Sequence, residues 1–171
     1  VSISGSDDND GSEENPFATI QHGINAANPG ETVGEGDTVL VHPGTYYQTF
    51  DGQNKTISIG SLMLTTQDTS YISQTIIDLE NLDIGGPLIY NCRYLDGFTI
   101  QNSNTANGQN ALYSSNHTTY KNLVVQNNYG CPIYSSASDL HIYDSIIRNN
   151  QVNGSGGGIS FSEPAFLDGL P

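Results

Sequence analysis

The chain reads as an all-β protein, a right-handed parallel β-helix (solenoid) with a short N-terminal capping α-helix. Two recurring runs predict this. The first, Phe98-Thr99-Ile100-Gln101-Asn102-Ser103, returns as Leu123-Val124-Val125-Gln126-Asn127-Asn128 and again as Ser145-Ile146-Ile147-Arg148-Asn149-Asn150. Its centres lie 25 residues apart (Ile100 to Val125) and then 22 (Val125 to Ile147). The second, out of phase with the first, is Ile89-Tyr90, Leu112-Tyr113, Ile133-Tyr134 and Ile159-Ser160, at spacings of 23, 21 and 26. A short β module that returns every twenty-odd residues cannot bury its apolar side alone, so the copies must stack. Leu95, Tyr120 and Ile142 mark a third, weaker run and give two to three strands per turn.

Composition agrees. Of 171 residues, 35% are hydrophobic and 13% charged, too few apolar groups for a thick globular core. The chain is nevertheless too rich in β-branched and aromatic residues for disorder. Four basic residues (Lys55, Arg93, Lys121, Arg148) face 18 acidic ones, for a formal charge of −14. Such a surface argues against binding nucleic acid. No apolar run approaches 18 residues, so no membrane insertion is expected. The acidic, amide- and hydroxyl-rich composition suggests an extracellular or cell-surface protein. Val1 in place of Met points to a processed product, and Leu170-Pro171 to the front of a longer one.

Residues 1–36 are expected to form an acidic loop and the capping helix. Ser6 to Glu14 places Asp8 and Asp10 at alternate positions before Gly11, as in a Ca²⁺ loop. The position of the bidentate Glu falls on Phe17, so the pattern leaves a local Ca²⁺ site or a solvated loop as alternatives. The helix is predicted over 16–27, with Asn15 as cap and Pro16 in the first turn; Phe17, Ile20, Ile24 and Ala27 share one face. Its role is to cover the first open rung.

Coils are expected over 37–162. Strands are read at Asp37–Val41, Thr56–Ile59, Leu62–Leu64 and Thr75–Asp78, followed by the repeats. Period-2 alternation puts Ile89, Leu112, Ile133, Ile159, Ile100, Val125 and Ile147 inside. Asn102, Asn127 and Asn149 are expected to stack as an amide ladder at one corner. Residues 163–171 are a tail or the start of further coils, with Phe161, Phe166, Leu167 and Leu170 still to be buried. Cys92 and Cys131 fall two rungs apart, beyond disulfide reach, and are expected as free, largely buried thiols. The four histidines show no metal-ligand spacing.

Several blocks add a resemblance. Gly5-Ser6-Asp7-Asp8, Asn15-Pro16-Phe17-Ala18-Thr19-Ile20-Gln21, Gly36-Asp37-Thr38-Val39-Leu40-Val41 and Pro43-Gly44-Thr45-Tyr46 resemble the DUF1565-type N-terminal block of secreted bacterial β-helix proteins in the pectate-lyase-like superfamily. Gly97-Phe98-Thr99-Ile100-Gln101-Asn102 and Gly156-Gly157-Gly158-Ile159 extend the match over nearly the whole chain. The resemblance implies lyases, hydrolases, adhesins or surface proteins. For a lyase it implies Ca²⁺ with an Arg or Lys base, and Arg148 is then the strand-borne base. Asp78, Asp96, Asp139 and Asp144 read as scattered over different coils and corners.

Tyr90, Tyr113 and Tyr134 face outward, one per rung. They can stack against sugar rings or simply pack along their own sheet. The expected function is therefore a structural or adhesive module, with head-to-tail self-association into fibres through an open rung. The alternative is a Ca²⁺-dependent polysaccharide lyase or another polysaccharide-binding protein.

Overall fold

The computed structural model describes residues 1–80, 82, 88–104, 110–136, 139–152 and 157–162. It is a parallel β-helix of five coils. The first holds β1 (Thr38–Val41), β2 (Gly44–Tyr46) and β3 (Phe50–Asp51); the second holds β4 (Ser58–Ser61), β5 (Thr75–Asp78) and β6 (Ile89–Tyr90). Next come β7 (Tyr94–Asp96), β8 (Thr99–Gln101) and β9 (Leu112–Ser114), then β10 (Thr118–Lys121), β11 (Val124–Gln126) and β12 (Ile133–Ser135). The fifth coil holds β13 (Leu140–Tyr143), β14 (Ile146–Arg148) and β15 (Ile159–Phe161). Stacking gives three parallel sheets: sheet A in order β1-β4-β7-β10-β13, sheet B in order β2-β5-β8-β11-β14, and sheet C in order β3-β6-β9-β12-β15.

The register matches the sequence repeats. Ile77, Ile100, Val125 and Ile147 form one inward column, continued from Tyr46. Phe50, Ile89, Leu112, Ile133 and Ile159 form a second. Ile59, Leu95, Tyr120 and Ile142 form a third. These side chains are sealed in the middle coils and open in the last, where Ile159 is 38% exposed. Strands this short turn one or two residues to the core before the chain bends. At the turns Asn102, Asn127 and Asn149 adopt positive φ (62°, 55° and 54°), which Asn tolerates better than most residues.

That conformation shifts the amide ladder by one residue. Asn102, Asn127 and Asn149 make the bend, while Ser103, Asn128 and Asn150 make the rungs. The Ser103 amide donates to Asn128 Oδ1 (3.0 Å), and Asn128 Nδ2 donates to Asn150 Oδ1 (3.0 Å). Asn128 and Asn150 also donate to the backbone carbonyls of Ile100 and Val125. A side chain leaving a left-handed residue points away from its equivalents, whereas the next one points along the axis.

The cap is shorter than expected. The helix, α1, spans Ile20–Ala26 and is capped by Thr19, not Asn15. The carbonyls a longer helix would need are engaged elsewhere: Pro16 O accepts from Ser6 N and Asn9 Nδ2, and Phe17 O accepts from Ser2 N. Asp7 accepts from the amides of Ala18 and Thr19 (2.9 Å each) and from Thr19 Oγ1 (2.8 Å), holding this stretch extended. Ile20 and Ile24 are fully buried as the face pattern requires, and α1 packs on β1 and β3. Phe17 stands outside the helix with its ring 4.5 Å from that of His22. Lys55 Nζ serves the other end, donating to the carbonyls of Ile24, Asn25 and Ala27.

Burial opposes ionisation of Asp7, but the hydrogen bonds from Thr19 and Ala18 outweigh it and hold the carboxyl below its ordinary value of 3.8. A depressed folded pKa gives stability that is present above the unfolded value and lost as pH falls through the folded one. Asp7→Ala is expected to cost about 1–2 kcal/mol at pH 7, the usual loss at a helix N-terminus. In urea titrations the two proteins should converge as pH falls through the lowered pKa of Asp7. A constant difference down to pH 2 would show that the Asp7 charge is irrelevant.

The second coil carries an insertion. Leu62–Leu64, expected as a strand, instead enters α2 (Met63–Thr66), followed by α3 (Ser70–Gln74). Ser61 Oγ accepts from the Met63 amide, and Gln67 closes the turn at φ 61°. Both cysteines are free, Cys92 buried and Cys131 partly so. Phe166, Leu167 and Leu170 lie outside the described residues. Among the described residues no helix is long and apolar enough to cross a membrane.

Candidate functional site

The richest chemistry lies on the outer face of sheet A, in coils three to five. Alternation turns Leu95, Tyr120 and Ile142 inward, so their neighbours face out. Register then fixes two outward rows, Tyr94–Thr119–His141 and Asp96–Lys121–Tyr143. Successive members sit about 4.8 Å apart. One step ahead of the strands, the same alternation turns His117 and Asp139 outward side by side. The insertion bounds this face on the second coil. Leu64 lies over Gly60, where an added Cβ would come within 2.9 Å of it, and Ile72 O accepts from Thr99 Oγ1 (2.8 Å).

In coil three, Asp96 is 2% exposed and accepts from Tyr94 Oη (2.9 Å) and Asn122 Nδ2 (2.7 Å). Burial, together with the bond to Asp96, pushes the Tyr94 phenol up to about 12. In coils four and five, Asp139 lies between two imidazoles. It meets His117 Nδ1 through Oδ2 and His141 Nε2 through Oδ1, the latter at 2.6 Å. The rings are 5.6 Å apart, and His141 Nδ1 shares a hydrogen bond with Tyr143 Oη (2.9 Å). The bond from His117 holds the Asp139 carboxyl below its ordinary range; slight burial opposes this and His141 reinforces it. All three side chains are between 43% and 51% exposed. The face therefore offers aromatic rings, an amine and carboxylate-oriented imidazoles to an extended ligand, on a surface and not in a cavity.

The residues expected to act are placed elsewhere. Arg148 ends a ladder on sheet B. Its Nε and Nη2 donate to Gln126 Oε1 (3.0 and 2.8 Å), Gln126 Nε2 donates to Gln101 Oε1 (3.1 Å), and Gln101 Nε2 donates to Asp78 Oδ2 (3.0 Å). A guanidinium committed to a neighbour in this way is a poor base. On sheet C, Tyr113 and Tyr134 stack at 5.9 Å with planes 11° apart, while Tyr113 Oη shares a hydrogen bond with Ser136 Oγ. Tyr90 stands in register with Tyr113, without a close ring contact among the described residues.

The acidic loop does not gather its carboxylates. Asp7 turns to the helix, and Asp10 Oδ1 accepts from the Ser12 amide (2.9 Å). Asp8 N donates to Ser6 Oγ (3.3 Å). Among the described residues no group of three or more His, Cys, Asp or Glu is arranged to hold a metal.

Linear spacing of histidines hides the His117–Asp139–His141 trio. The signal was the offset of 22 between Tyr120 and Ile142, which pairs His117 with Asp139 and Thr119 with His141.

No protein-family model matches the chain, and no curated relative matches it. Among solved structures, a rhamnogalacturonan lyase is similar, with a TM-score of 0.61 and 19% identity over 91% of this chain and 42% of that one. The likeness is one of fold, and the chain spans less than half the length of that protein.

Proposed function

We propose that the chain is a secreted or cell-surface β-helix module with a structural and adhesive role, and that it holds a polysaccharide along the outer face of sheet A. The observation that carries this reading is the pair of outward rows, Tyr94–Thr119–His141 and Asp96–Lys121–Tyr143. The exposed rings of His141 and Tyr143 on the fifth coil suit stacking against sugars, and Thr119 and Lys121 beside them suit hydroxyls. The DUF1565-type start remains a resemblance and adds nothing to the choice of ligand. Self-association into fibres is less favoured, because α1 covers the first rung, packed on β1 and β3.

Tyr143→Ala and Lys121→Ala are each expected to weaken polysaccharide binding about tenfold, the usual scale for one exposed stacking or charged contact in a small site. Affinity electrophoresis against a panel of plant and bacterial polysaccharides checks this. Binding that survives both replacements, or that is lost instead with Tyr113→Ala, would move the site off sheet A.

A second reading, a polysaccharide lyase, draws on the likeness of fold to a rhamnogalacturonan lyase and on the carboxylate-oriented imidazoles. It predicts unsaturated sugar ends, visible by ultraviolet absorbance.

A further inference from the structure

We infer that His117 and His141, joined through Asp139, form an acid-operated docking site for anionic sugar units, so that the ligand class at low pH is a carboxylate- or sulfate-bearing polymer. The inference rests on the binding reading of the same face and assigns its charge preference. An acidic chain has few ways to present positive charge. Of its four Lys and Arg residues, Lys55 is spent on the carbonyls of α1 and Arg148 on Gln126. On sheet A, Lys121 stands in register with Asp96, and Arg93 immediately precedes β7, while the His117–Asp139–His141 trio carries the single negative charge of Asp139 when the imidazoles are neutral.

The arrangement lets protons reverse that sign. Imidazole is the side chain that changes charge between pH 5 and 8. Asp139 meets each ring through a different oxygen, so each imidazolium that forms keeps a carboxylate partner. His117 uses Nδ1 for this contact, which leaves Nε2 to take the proton from solvent. His141 takes its proton at Nδ1, and the Tyr143 hydroxyl then turns from donor to acceptor.

The other groups facing the pair are few. Thr119 and Lys121 lie on β10 and Tyr143 on β13, while Tyr94 and Asp96 lie on β7 and Arg93 just before it, its carbonyl accepting from Thr119 N; Asp96 is already held by Tyr94 and Asn122. Two added charges change the trio from net negative to net positive, at half-exposed positions where a polymer can reach them. Exposed charges are screened within about 10 Å at 0.1 M salt, so the effect is confined to ligand groups seated on this face.

The experiment measures binding of polygalacturonate, dextran sulfate and uncharged dextran at pH 5.5 and 7.5, at fixed ionic strength. At least one anionic polymer should bind tenfold or more tightly at pH 5.5, with dextran unchanged. Comparison of the two anionic polymers identifies carboxylate or sulfate as the preferred group. In the His117→Gln/His141→Gln protein the ratio between the two pH values should fall towards one, which removes the contribution of overall net charge. Each single replacement should leave an intermediate ratio, and circular dichroism should show an unaltered β signal. Equal anionic binding at both pH values, or a ratio that survives in the double variant, overturns the inference alone. Failure of all three polymers to bind at either pH overturns the binding reading with it.

Discussion

Leu112→Ala is expected to lower the free energy of unfolding by about 3–4 kcal/mol, in the upper part of the range for buried leucines. Leu112 is fully buried at the middle of its column, between Ile89 below and Ile133 above. In a solenoid each coil touches only its neighbours, so a cavity in coil three weakens both of its interfaces. Ile159→Ala is the matched control. Ile159 belongs to the same column one coil beyond Ile133, yet is 38% exposed, and its loss should cost roughly 1 kcal/mol or less. Urea unfolding followed by circular dichroism separates the two. Similar losses at both positions would mean that the fifth coil is covered in solution as thoroughly as the third.

The columns were legible because they repeat. Ile100, Val125 and Ile147, and the set Ile89, Leu112, Ile133 and Ile159, announce both strand and register, since one apolar residue per rung is all a narrow core needs. The first two coils were harder to read. Gly44–Tyr46 and Phe50–Asp51 are strands of three and two residues with no helpful alternation, and Leu62–Leu64 is apolar enough for either a strand or a helix turn. There the tertiary setting decides, with the Ser61 hydroxyl catching the Met63 amide.

The cap shows the same limit. Pro16 and the apolar face at Phe17, Ile20 and Ile24 do signal a helix. No local rule says that Asp7, eleven residues before Ala18, captures the amides on which its start depends. The sheet A face escaped for a different reason. Linear spacing and charge single out the strongest repeat, which lies on sheet B. The weakest repeat, Leu95–Tyr120–Ile142, carries the histidines, and only its register brings them to Asp139.

Asp78→Ala is expected to cost about 2–4 kcal/mol, whereas Arg148→Ala, at the other end of the same ladder, should cost about 0.5 kcal/mol. The asymmetry follows from burial. Asp78 is 6% exposed; its Oδ2 accepts from Gln101 Nε2 (3.0 Å) and Asn102 Nδ2 (2.9 Å), and its Oδ1 from the Glu80 amide (3.1 Å). Removing the carboxylate leaves three donors, all partly buried, without their shared acceptor. Removing the guanidinium only returns Gln126 Oε1 to solvent. Asp78→Asn keeps one acceptor oxygen and should recover roughly half of the loss.

The same pair of variants separates scaffold from catalyst on sheet B. If the ladder is a brace, Asp78→Ala lowers the urea midpoint markedly, while Arg148→Ala moves it only slightly and leaves polysaccharide binding unchanged. If Arg148 were the base of a lyase, its replacement would abolish release of unsaturated sugars without moving the midpoint. A guanidinium already donating twice to one glutamine oxygen, with no carboxylate cluster gathered beside it, has the geometry of the first case.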